Sequence, residues 1–544
     1  MTACRHTAIP AILLLAAAAA IPAGPSELRF CLRSDPRSFD PLNVADESSE
    51  TVRYLTHGFL VRMNRRTLKL EPSLAESWRV SSDGRGVRFR LRSGVKFSDG
   101  APFTSADVAR TISRATDPAL KPQAGDALRR DEGAPRITVH NAQELTVAFA
   151  APIAGLDYLF DELPILSAHS PLKDGAGLGP FVLAEYRAGS HLNLTRNPYY
   201  WARDAKGAAL PYFDRVRIDI QQNREIEMAR FRRGELHFIS ALDVENFDRL
   251  AAVSAASARD GGLSLESEML WFNQAASARL PVHKLAWFRS TAFRRAISDS
   301  IRRDDIVRLV YKGRAAPGYG PFSPAARPWF NASLKAAPYD PQGALQRLAA
   351  EGFRLQSGVL RDSGGNAVEF SLITNSGNRN RARMASLIEQ DLARIGVKIV
   401  IVPLEMPSLL ERITRTLQYD ACLLGLVGVD LDPNDQMNMW LSSSATHQWN
   451  PRQATPETAW EAAIDRLMKA QAVEGNLPKR IRLIHEMQRI VREQAPMIYL
   501  AHPHALLAVS PQLANAEPAA FRPRVLWNVE RLAPIHQPEV ARVP

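Results

Sequence analysis

An α/β fold is predicted by three features of the sequence. Short segments such as Val87–Arg92 alternate apolar and charged residues, which is typical of half-buried strands. Longer segments such as Asn380–Ile395 place apolar residues at helical spacing, and there Gly396 and the β-branched stretch Val397–Val402 follow directly. Both kinds of segment alternate along the chain without a low-complexity linker, which predicts α/β lobes built from interleaved segments.

The other regular elements follow from the same local patterns. Thr104 precedes Asp107 by three residues, which resembles a capping box and predicts a helix start. The remaining predictions are strands at Leu28–Leu32 and Val216–Ile220, and helices at Phe293–Ile301, Glu457–Met468 and Arg480–Val491.

Length and charge limit the class of protein. A chain of 544 residues is long enough to bury two or three hydrophobic cores. The formal net charge is +11, but the basic residues occur in short pairs such as Arg65-Arg66 and Arg129-Arg130, without a run of five. This spread indicates a solvated surface, and no nucleic-acid partner is predicted.

The N-terminal residues have the order of a secretory signal peptide. Arg5 gives a basic start, Ala8–Ala20 is almost wholly apolar, and small residues with Pro22 follow. A membrane anchor is the alternative, but the stretch is shorter than the ~20 apolar residues that a span needs. We therefore expect residues 1–23 to contain the signal peptide, with cleavage after Ala20 or Ala23, and the protein to be periplasmic. Cys4 precedes the apolar centre, so no lipid-bearing cysteine lies at the cut.

The motifs of common enzymes and metal proteins are absent from the sequence. It contains no GxSxG, no HExxH, no CxxC, and no SxxK set with its partner motifs, so no enzyme activity and no cofactor are predicted. Cys31 and Cys422 lie in apolar stretches and are predicted as free thiols, with a disulfide as the alternative. His502 and His504 could share one strand face and bind a metal or haem-type ligand, which remains an alternative.

Six segments occur in an order that resembles a known family. They are Leu74–Thr111, Gly177–Trp201, Leu210–Leu236, Thr291–Ala315, Tyr339–Phe353 and Asn378–Val402. Together they resemble the family 5 extracellular solute-binding proteins, which include the oligopeptide- and dipeptide-binding proteins of ABC importers. The resemblance implies a two-lobed periplasmic-binding-protein fold of type II, with hinge strands between the lobes and an additional domain inserted in the first lobe.

The resemblance also implies domain boundaries and partners. Domain I of the first lobe would combine residues 24–46, 178–265 and 503–544, the inserted domain II residues 47–177, and the second lobe residues 266–502. A monomer would bind a peptide or peptide-like solute and deliver it to ABC permease subunits. The alternatives are a nickel complex, haem, sugar or conjugate as ligand, or a periplasmic sensor or chaperone on the same fold.

The ligand site implied by the resemblance lies in the loop Gly425–Trp440. In the peptide binders this loop supplies a carboxylate for the ligand ammonium group and an aromatic wall, but the expected positions hold Val429 and Leu426 here. Asp430 could substitute for the carboxylate if the loop shifts. Asp432 is a candidate ligand residue or an Asp-Pro turn, and Trp440 a candidate groove wall or a core residue.

Other candidate ligand residues lie at the entries to the two lobes. Trp271 and Asn273 could offer a stacking face and an amide, and a core strand is the alternative for them. In the first lobe, Asp46 and Glu47 match a stretch that lines the groove in peptide binders, and a solvated loop is their alternative.

Overall fold

The computed structural model describes residues 26–44, 46–129, 133–170, 175–334, 339–426 and 431–535. Within these ranges the strands form two four-stranded sheets, one eight-stranded sheet and three two-stranded ribbons. Helices lie between the strands along the whole described chain. This mixed architecture confirms the predicted α/β class.

The first four-stranded sheet contains the N-terminal strand. Its order is β1-β10-β9-β8, with β1 (Glu27–Leu32), β8 (Phe181–Arg187), β9 (His191–Arg196) and β10 (Arg215–Ile220). β1 runs parallel to β10, so that Phe30 lies opposite Ile218, and both side chains are buried. The strands predicted at Leu28–Leu32 and Val216–Ile220 are thereby confirmed.

The second four-stranded sheet lies in the segment predicted as the inserted domain. Its antiparallel order is β4-β5-β7-β6, with β4 (Ala75–Val80), β5 (Gly86–Leu91), β6 (Arg136–Asn141) and β7 (Glu144–Ala148). In β5, Val87, Phe89 and Leu91 are buried, and Arg88 and Arg90 are exposed, as the alternation predicted.

Most strands of the eight-stranded sheet lie in the segment predicted as the second lobe. Its central path is β11-β20-β13-β19-β17-β18, and β12 and β14 also pair with β20. The strands are β11 (Phe238–Ile239), β12 (Ala258–Leu263), β13 (Ser267–Phe272), β14 (Ala315–Pro317), β17 (Glu369–Asn375), β18 (Lys398–Leu404), β19 (Ala421–Leu426) and β20 (Met497–Val509). One half of β20 pairs with β13 and the other half with β12, so β20 is shared by the two halves of the molecule.

Short strands complete the sheet inventory. The ribbons are β2 (Val61–Met63) with β3 (Leu70–Pro72), β15 (Arg354–Gln356) with β16 (Val359–Arg361), and β21 (Leu513–Ala514) with β22 (Ala533–Pro534).

The helices confirm the predictions made from helical spacing. They are α1 (Glu47–Thr56), α2 (Ser105–Ala115), α3 (Arg224–Arg232), α4 (Val244–Val253), α5 (Val282–Arg289), α6 (Thr291–Asp299), α7 (Arg303–Asp305), α8 (Pro341–Ala350), α9 (Arg379–Ala393), α10 (Met406–Glu411), α11 (Met437–Trp440), α12 (Ala459–Val473) and α13 (Leu477–Gln494). Thr104 and Asp107 form the capping box of α2. Among the described residues, no helix combines the length and apolar content needed to cross a bilayer.

Four phenylalanines form the centre of the second-lobe core. Phe272 of β13 stacks on Phe288 of α5, with ring centroids 4.9 Å apart, and it also contacts Phe293 and Phe370 edge-on. All four side chains are fully buried. Burial of each such side chain contributes about 1.5–3 kcal/mol, so this cluster anchors α5 and α6 to the sheet.

A buried ion pair joins helix α9 to the same sheet. Arg381 Nε donates to Glu268 Oε2 at 2.8 Å, and Arg381 Nη1 donates to Asn375 Oδ1 at 2.7 Å. The guanidinium lies against β19 at Gly425, where a Cβ atom would stand 2.3 Å from Arg381 Nη2. Glycine is therefore required at this position in β19 to let the ion pair form beside the strand.

The two cysteines of the described chain are free thiols, as predicted. Cys422 is fully buried in β19, and Cys31 is half-buried in β1. Burial raises the pKa of Cys31 to about 12 and raises that of Cys422 as well, so both thiols stay protonated at neutral pH.

Candidate functional site

A cavity of about 870 Å³ lies between the two lobes. One wall comes from residues 42–163, which include α1 and the short helical turn Leu156–Phe160, and the other wall comes from residues 431–473. Leu265, Phe521 and Arg522 also border it. The volume lies in the range of about 300–1,000 Å³ that small-molecule sites occupy.

Carboxylates from both walls face this cavity. Asp161 and Glu162 come from the first wall, and Asp432 and Asp435 come from the second. Arg65 Nη2 lies 3.0 Å from Glu162 Oε1 and 3.4 Å from Asp161 Oδ2, so one guanidinium serves both first-wall carboxylates. Arg480 pairs with Asp432 on the second wall, so two guanidinium groups lie among the four acids at this end of the cavity.

The crowding of carboxylates raises their pKa values. Enclosure by protein, together with the nearby charges of Asp432 and Glu162, raises the pKa of Asp435 to about 8. Burial and the charge of Glu162 raise the pKa of Asp161 to about 6, even though Arg65 acts in the opposite direction. Burial and Glu162 also raise the pKa of Glu50 on α1. These groups resist ionisation because the cations among the described residues do not balance them fully.

Asp435 is the carboxylate with the weakest support from the protein. Its side chain is accessible from the cavity, and none of the residues in the described ranges donates a hydrogen bond to it or forms an ion pair with it. The neighbouring Arg480 is occupied by Asp432, with Arg480 Nη1 donating to Asp432 Oδ2 at 2.7 Å. Asp435 therefore has the capacity to accept hydrogen bonds from a cationic group in the cavity.

Asp432 borders the cavity, and its carboxylate is also committed to structure. It is the N-cap of the helical turn Pro433–Gln436, where its Oδ1 accepts from the Asn434 backbone N–H at 2.9 Å. Both oxygens also face the Arg480 guanidinium. The turn-and-cap alternative considered for Asp432 is thus present in the structure.

Trp271, Asn273 and Trp440 lie in the core and do not border the cavity. Trp271 Nε1 donates to Tyr419 Oη at 3.2 Å, and Trp440 Nε1 donates to Gln436 Oε1 at 3.3 Å. The Asn273 amide donates to the carbonyl oxygens of Leu417 and Tyr419. All three side chains are buried, so their contacts match the core alternative, and the structure does not bring them to the cavity surface.

Asp46 and Glu47 lie near the cavity without bordering it. Asp46 is the N-cap of α1 and accepts from the Ser49 backbone N–H at 2.9 Å, whereas the exposed Glu47 pairs with Arg522 at 2.8 Å. Ser49 and Arg522 therefore occupy the two carboxylates in this conformation. Asp430 and Val429 lie outside the described residues, so the predicted role of Asp430 stays a prediction.

The two histidines considered as metal ligands have separate partners. His502 is buried, its Nδ1 lies 3.2 Å from the Glu266 carbonyl oxygen, and burial lowers its pKa to about 4. His504 Nδ1 lies 3.0 Å from the Asp260 carboxylate. In the part of the chain that the structure describes, no group of three or more histidine, cysteine or acidic side chains is placed to hold a metal ion.

Comparison with known proteins gives the fold and the family. A probable ABC transporter-binding protein of Deinococcus radiodurans is 28% identical over 86% of this chain and 85% of its own length. The di/tripeptide-binding protein 2 of Pseudomonas aeruginosa is 28% identical over 90% of this chain and 92% of its own length. The oligopeptide-binding protein AppA from Bacillus subtilis, solved in complex with a nonapeptide, superposes with a TM-score of 0.75 at 22% identity, covering 94% of this chain and 99% of AppA.

The family assignment rests on a match to most of the chain. Residues 69–448 match the model of the bacterial extracellular solute-binding proteins, family 5 Middle. This stretch contains the strands β3 to β19, and the likeness to AppA confirms the expected two-lobed fold. The chain belongs to the family 5 bacterial extracellular solute-binding proteins.

Proposed function

We propose that this protein captures a peptide or peptide-like solute in the cavity between its lobes and delivers it to the permease of an ABC importer. The observation that carries the proposal is the interlobe cavity, with the carboxylate of Asp435 on its wall and no ion-pair partner for it within the described ranges. Relatives named for di- and tripeptide binding, and a solved oligopeptide complex of the same fold, support this class of ligand. The role is binding and release, without a chemical step on the solute.

The charge pattern of the cavity suits a ligand with an ammonium group. A cation near Asp435 would ionise this carboxyl and offset its repulsion from Asp432 and Glu162. A charge-assisted hydrogen bond of this kind contributes about 1.5–3 kcal/mol. Cationic side chains also border the cavity, at Arg53, Arg129, Lys469 and Arg522, so a zwitterionic peptide would find both signs of charge.

The two-wall construction couples binding to closure. A ligand shifts an open–closed equilibrium only through its different affinity for the two states. A solute that touches Asp161 or Glu162 on one wall and Asp435 on the other makes its full set of contacts only when the lobes are closed.

Export and domain organisation complete the proposal. Residues 1–23 act as a signal peptide, and the mature protein is a periplasmic monomer. The proposed boundary at 265/266 falls between β12 and β13, and the boundary at 502/503 falls within β20. These two crossings form the hinge between domain I (24–46, 178–265 and 503–544), with its inserted domain II (47–177), and the second lobe (266–502).

The variant Asp435→Asn tests the proposed ammonium site. Calorimetric titration with short peptides is expected to give an affinity about ten- to hundredfold lower than that of the unmodified protein. N-acetylated peptides should bind the two proteins with similar affinity. Because the pKa of Asp435 is raised to about 8, binding at pH 7 should release protons, and this release should disappear in the variant.

Two further variants serve as comparisons. Asp126→Asn changes a cavity carboxylate that already pairs with Arg129, so a smaller loss of affinity is expected. Asp430→Asn tests the loop position that the sequence suggested. If Asp430→Asn abolishes the preference for a free amino terminus and Asp435→Asn does not, the assignment to Asp435 is incorrect. The absence of binding by any peptide would contradict the proposed ligand class.

A further inference from the structure

Ala154 of the first lobe forms hydrogen bonds to the second lobe through both its backbone N–H and its backbone carbonyl oxygen. The Ala154 N–H donates to the Ala472 carbonyl oxygen at 2.9 Å. The Ala154 carbonyl oxygen accepts from Asn434 Nδ2 at 3.0 Å. Ala154 lies in the inserted-domain segment, and Asn434 and Ala472 lie on the opposite cavity wall, so these bonds exist only when the lobes are together.

The second-lobe side of this contact is held in place by a buried hydrogen-bond chain. Gln471 Nε2 donates to Asn434 Oδ1 at 2.9 Å, and Gln471 Oε1 accepts from Arg480 Nε at 2.9 Å. Arg480 in turn pairs with Asp432 and lies over the Trp329 ring, 4.9 Å from its centroid. Asn434, Gln471 and Arg480 all belong to the second lobe, so the hydrogen bonds that orient the Asn434 amide do not depend on the first lobe.

Gly155, the next residue of the first lobe, fits closely against the same hydrogen-bonded side chains of the second lobe. Gly155 has φ +67, and a Cβ atom there would lie 3.0 Å from Asp432 Oδ2 and 3.5 Å from Arg480 Nη1. Glycine allows both the backbone conformation and the close approach. Behind it, Tyr158 packs against the apolar core of the second lobe. The contact thus combines hydrogen bonds, steric fit and apolar packing.

We propose that Ala154, Gly155, Asn434 and Ala472 form an interlobe latch that stabilises the closed conformation independently of the ligand. Opening the lobes would exchange two well-aligned hydrogen bonds and an apolar contact for water. The latch therefore raises the closed population of the empty protein and slows release of a bound solute. The second effect rests on the proposed function, whereas the first does not.

The closed population of the ligand-free protein can be measured between two spin labels. Exposed Leu120 of the first lobe and Leu355 of the second lobe provide label sites as Leu120→Cys and Leu355→Cys. The native thiols react poorly because burial raises the pKa of both Cys31 and Cys422. In the protein with an unmodified latch, the distance between the two labels should be mainly the short one of the closed conformation. Asn434→Ala should add a population with a longer distance between the labels. Solute dissociation from Asn434→Ala should be about three- to tenfold faster.

A second latch variant and a control variant complete the test. Gly155→Ala disrupts the latch on the first-lobe side and should also lengthen the distance between the labels. Asn438→Ala is the matched control, because Asn438 borders the same wall and its side chain forms no hydrogen bond with the described residues, whereas its backbone carbonyl accepts from Thr446 Oγ1. Distance distributions of Asn434→Ala and Gly155→Ala that equal that of Asn438→Ala would overturn the latch. This readout needs no ligand, so a failure of peptide binding alone would overturn the proposed function and leave the latch standing.

Discussion

Arg381→Met is expected to lower the free energy of unfolding by about 3–5 kcal/mol, because it leaves the Glu268 carboxylate buried without its partner. The two groups are 2.8 Å apart, with side-chain exposures of 7% and 11%. Burial raises the pKa of Glu268 even with Arg381 present. Without Arg381, Glu268 would therefore take up a proton, because protonation removes the uncompensated buried charge. Urea denaturation at pH 7, followed by circular dichroism, measures the loss.

The same helix offers a matched control. Arg383→Met removes a guanidinium of α9 that pairs with Glu245 at the surface, where its side chain is 45% exposed, and should change stability by less than about 1 kcal/mol. The double variant Glu268→Met/Arg381→Met should recover much of the loss, since an apolar pair leaves no buried charge. Equal losses for Arg381→Met and Arg383→Met would contradict the importance of burial.

The regular elements could be predicted because their signals are local. In β5 the burial of Val87, Phe89 and Leu91 repeats every second residue, and the sequence displays this period directly. The apolar spacing of helix α9 and the glycine that follows it predict this helix in the same way. The arrangement of these elements into two lobes came from the family resemblance, since no local pattern specifies which strands become neighbours.

The candidate site was predicted less completely, because its residues come together only through tertiary structure. Asp161 and Glu162 carry no sequence signal that relates them to the loop after β19, yet they face Asp435 across the cavity. In that loop the sequence singles out Asp430 and Asp432 as candidates, and Asp435 has no signal that separates it from them. Its distinguishing property is the absence of a partner among the described residues, which depends on where Arg480 points.

Polar groups in apolar strands leave two interpretations open for a related reason. Asn273 and Trp271 have the groups that bind ligands, but a buried polar group also needs partners within the protein. Asn273 finds the carbonyl oxygens of Leu417 and Tyr419, and Trp271 finds the Tyr419 hydroxyl. Sequence does not distinguish an amide that serves a neighbouring loop from one that serves a solute.

A buried carboxylate behind the second cavity wall should make stability depend on acid. Glu461 of α12 accepts hydrogen bonds from Trp449 Nε1 at 3.0 Å, Gln453 Nε2 at 2.8 Å and Thr458 Oγ1 at 2.7 Å, and His447 lies beside it. Burial alone would raise the pKa of this carboxyl, but the hydrogen bonds together lower it to about 2. The ionised group is therefore more stable in the folded protein than in the unfolded chain.

Glu461→Gln is expected to lower the free energy of unfolding by about 3 kcal/mol at pH 7. This magnitude follows from a pKa of about 2 in the folded protein against 4.5 for an ordinary glutamate. Because the folded pKa is the lower one, the contribution is complete above the ordinary value and is lost as the pH falls towards 2. The stabilities of the two proteins, measured by urea denaturation at several pH values, should therefore converge in acid.

Glu486→Gln provides the surface comparison, because Glu486 pairs with Arg489 while its side chain is 45% exposed, and its loss should stay below about 1 kcal/mol. A difference between unmodified protein and Glu461→Gln that stays constant between neutral pH and pH 3 would contradict the assignment, since it would show a packing effect without a titrating group.

The fully buried indoles of Trp449 and Trp440 lie 6.2 Å apart, and Trp440 ends the helix α11 that begins on the cavity wall. Acid weakening of Glu461 would therefore loosen the support of that wall, and solute affinity should fall in the same acidic range in which stability falls.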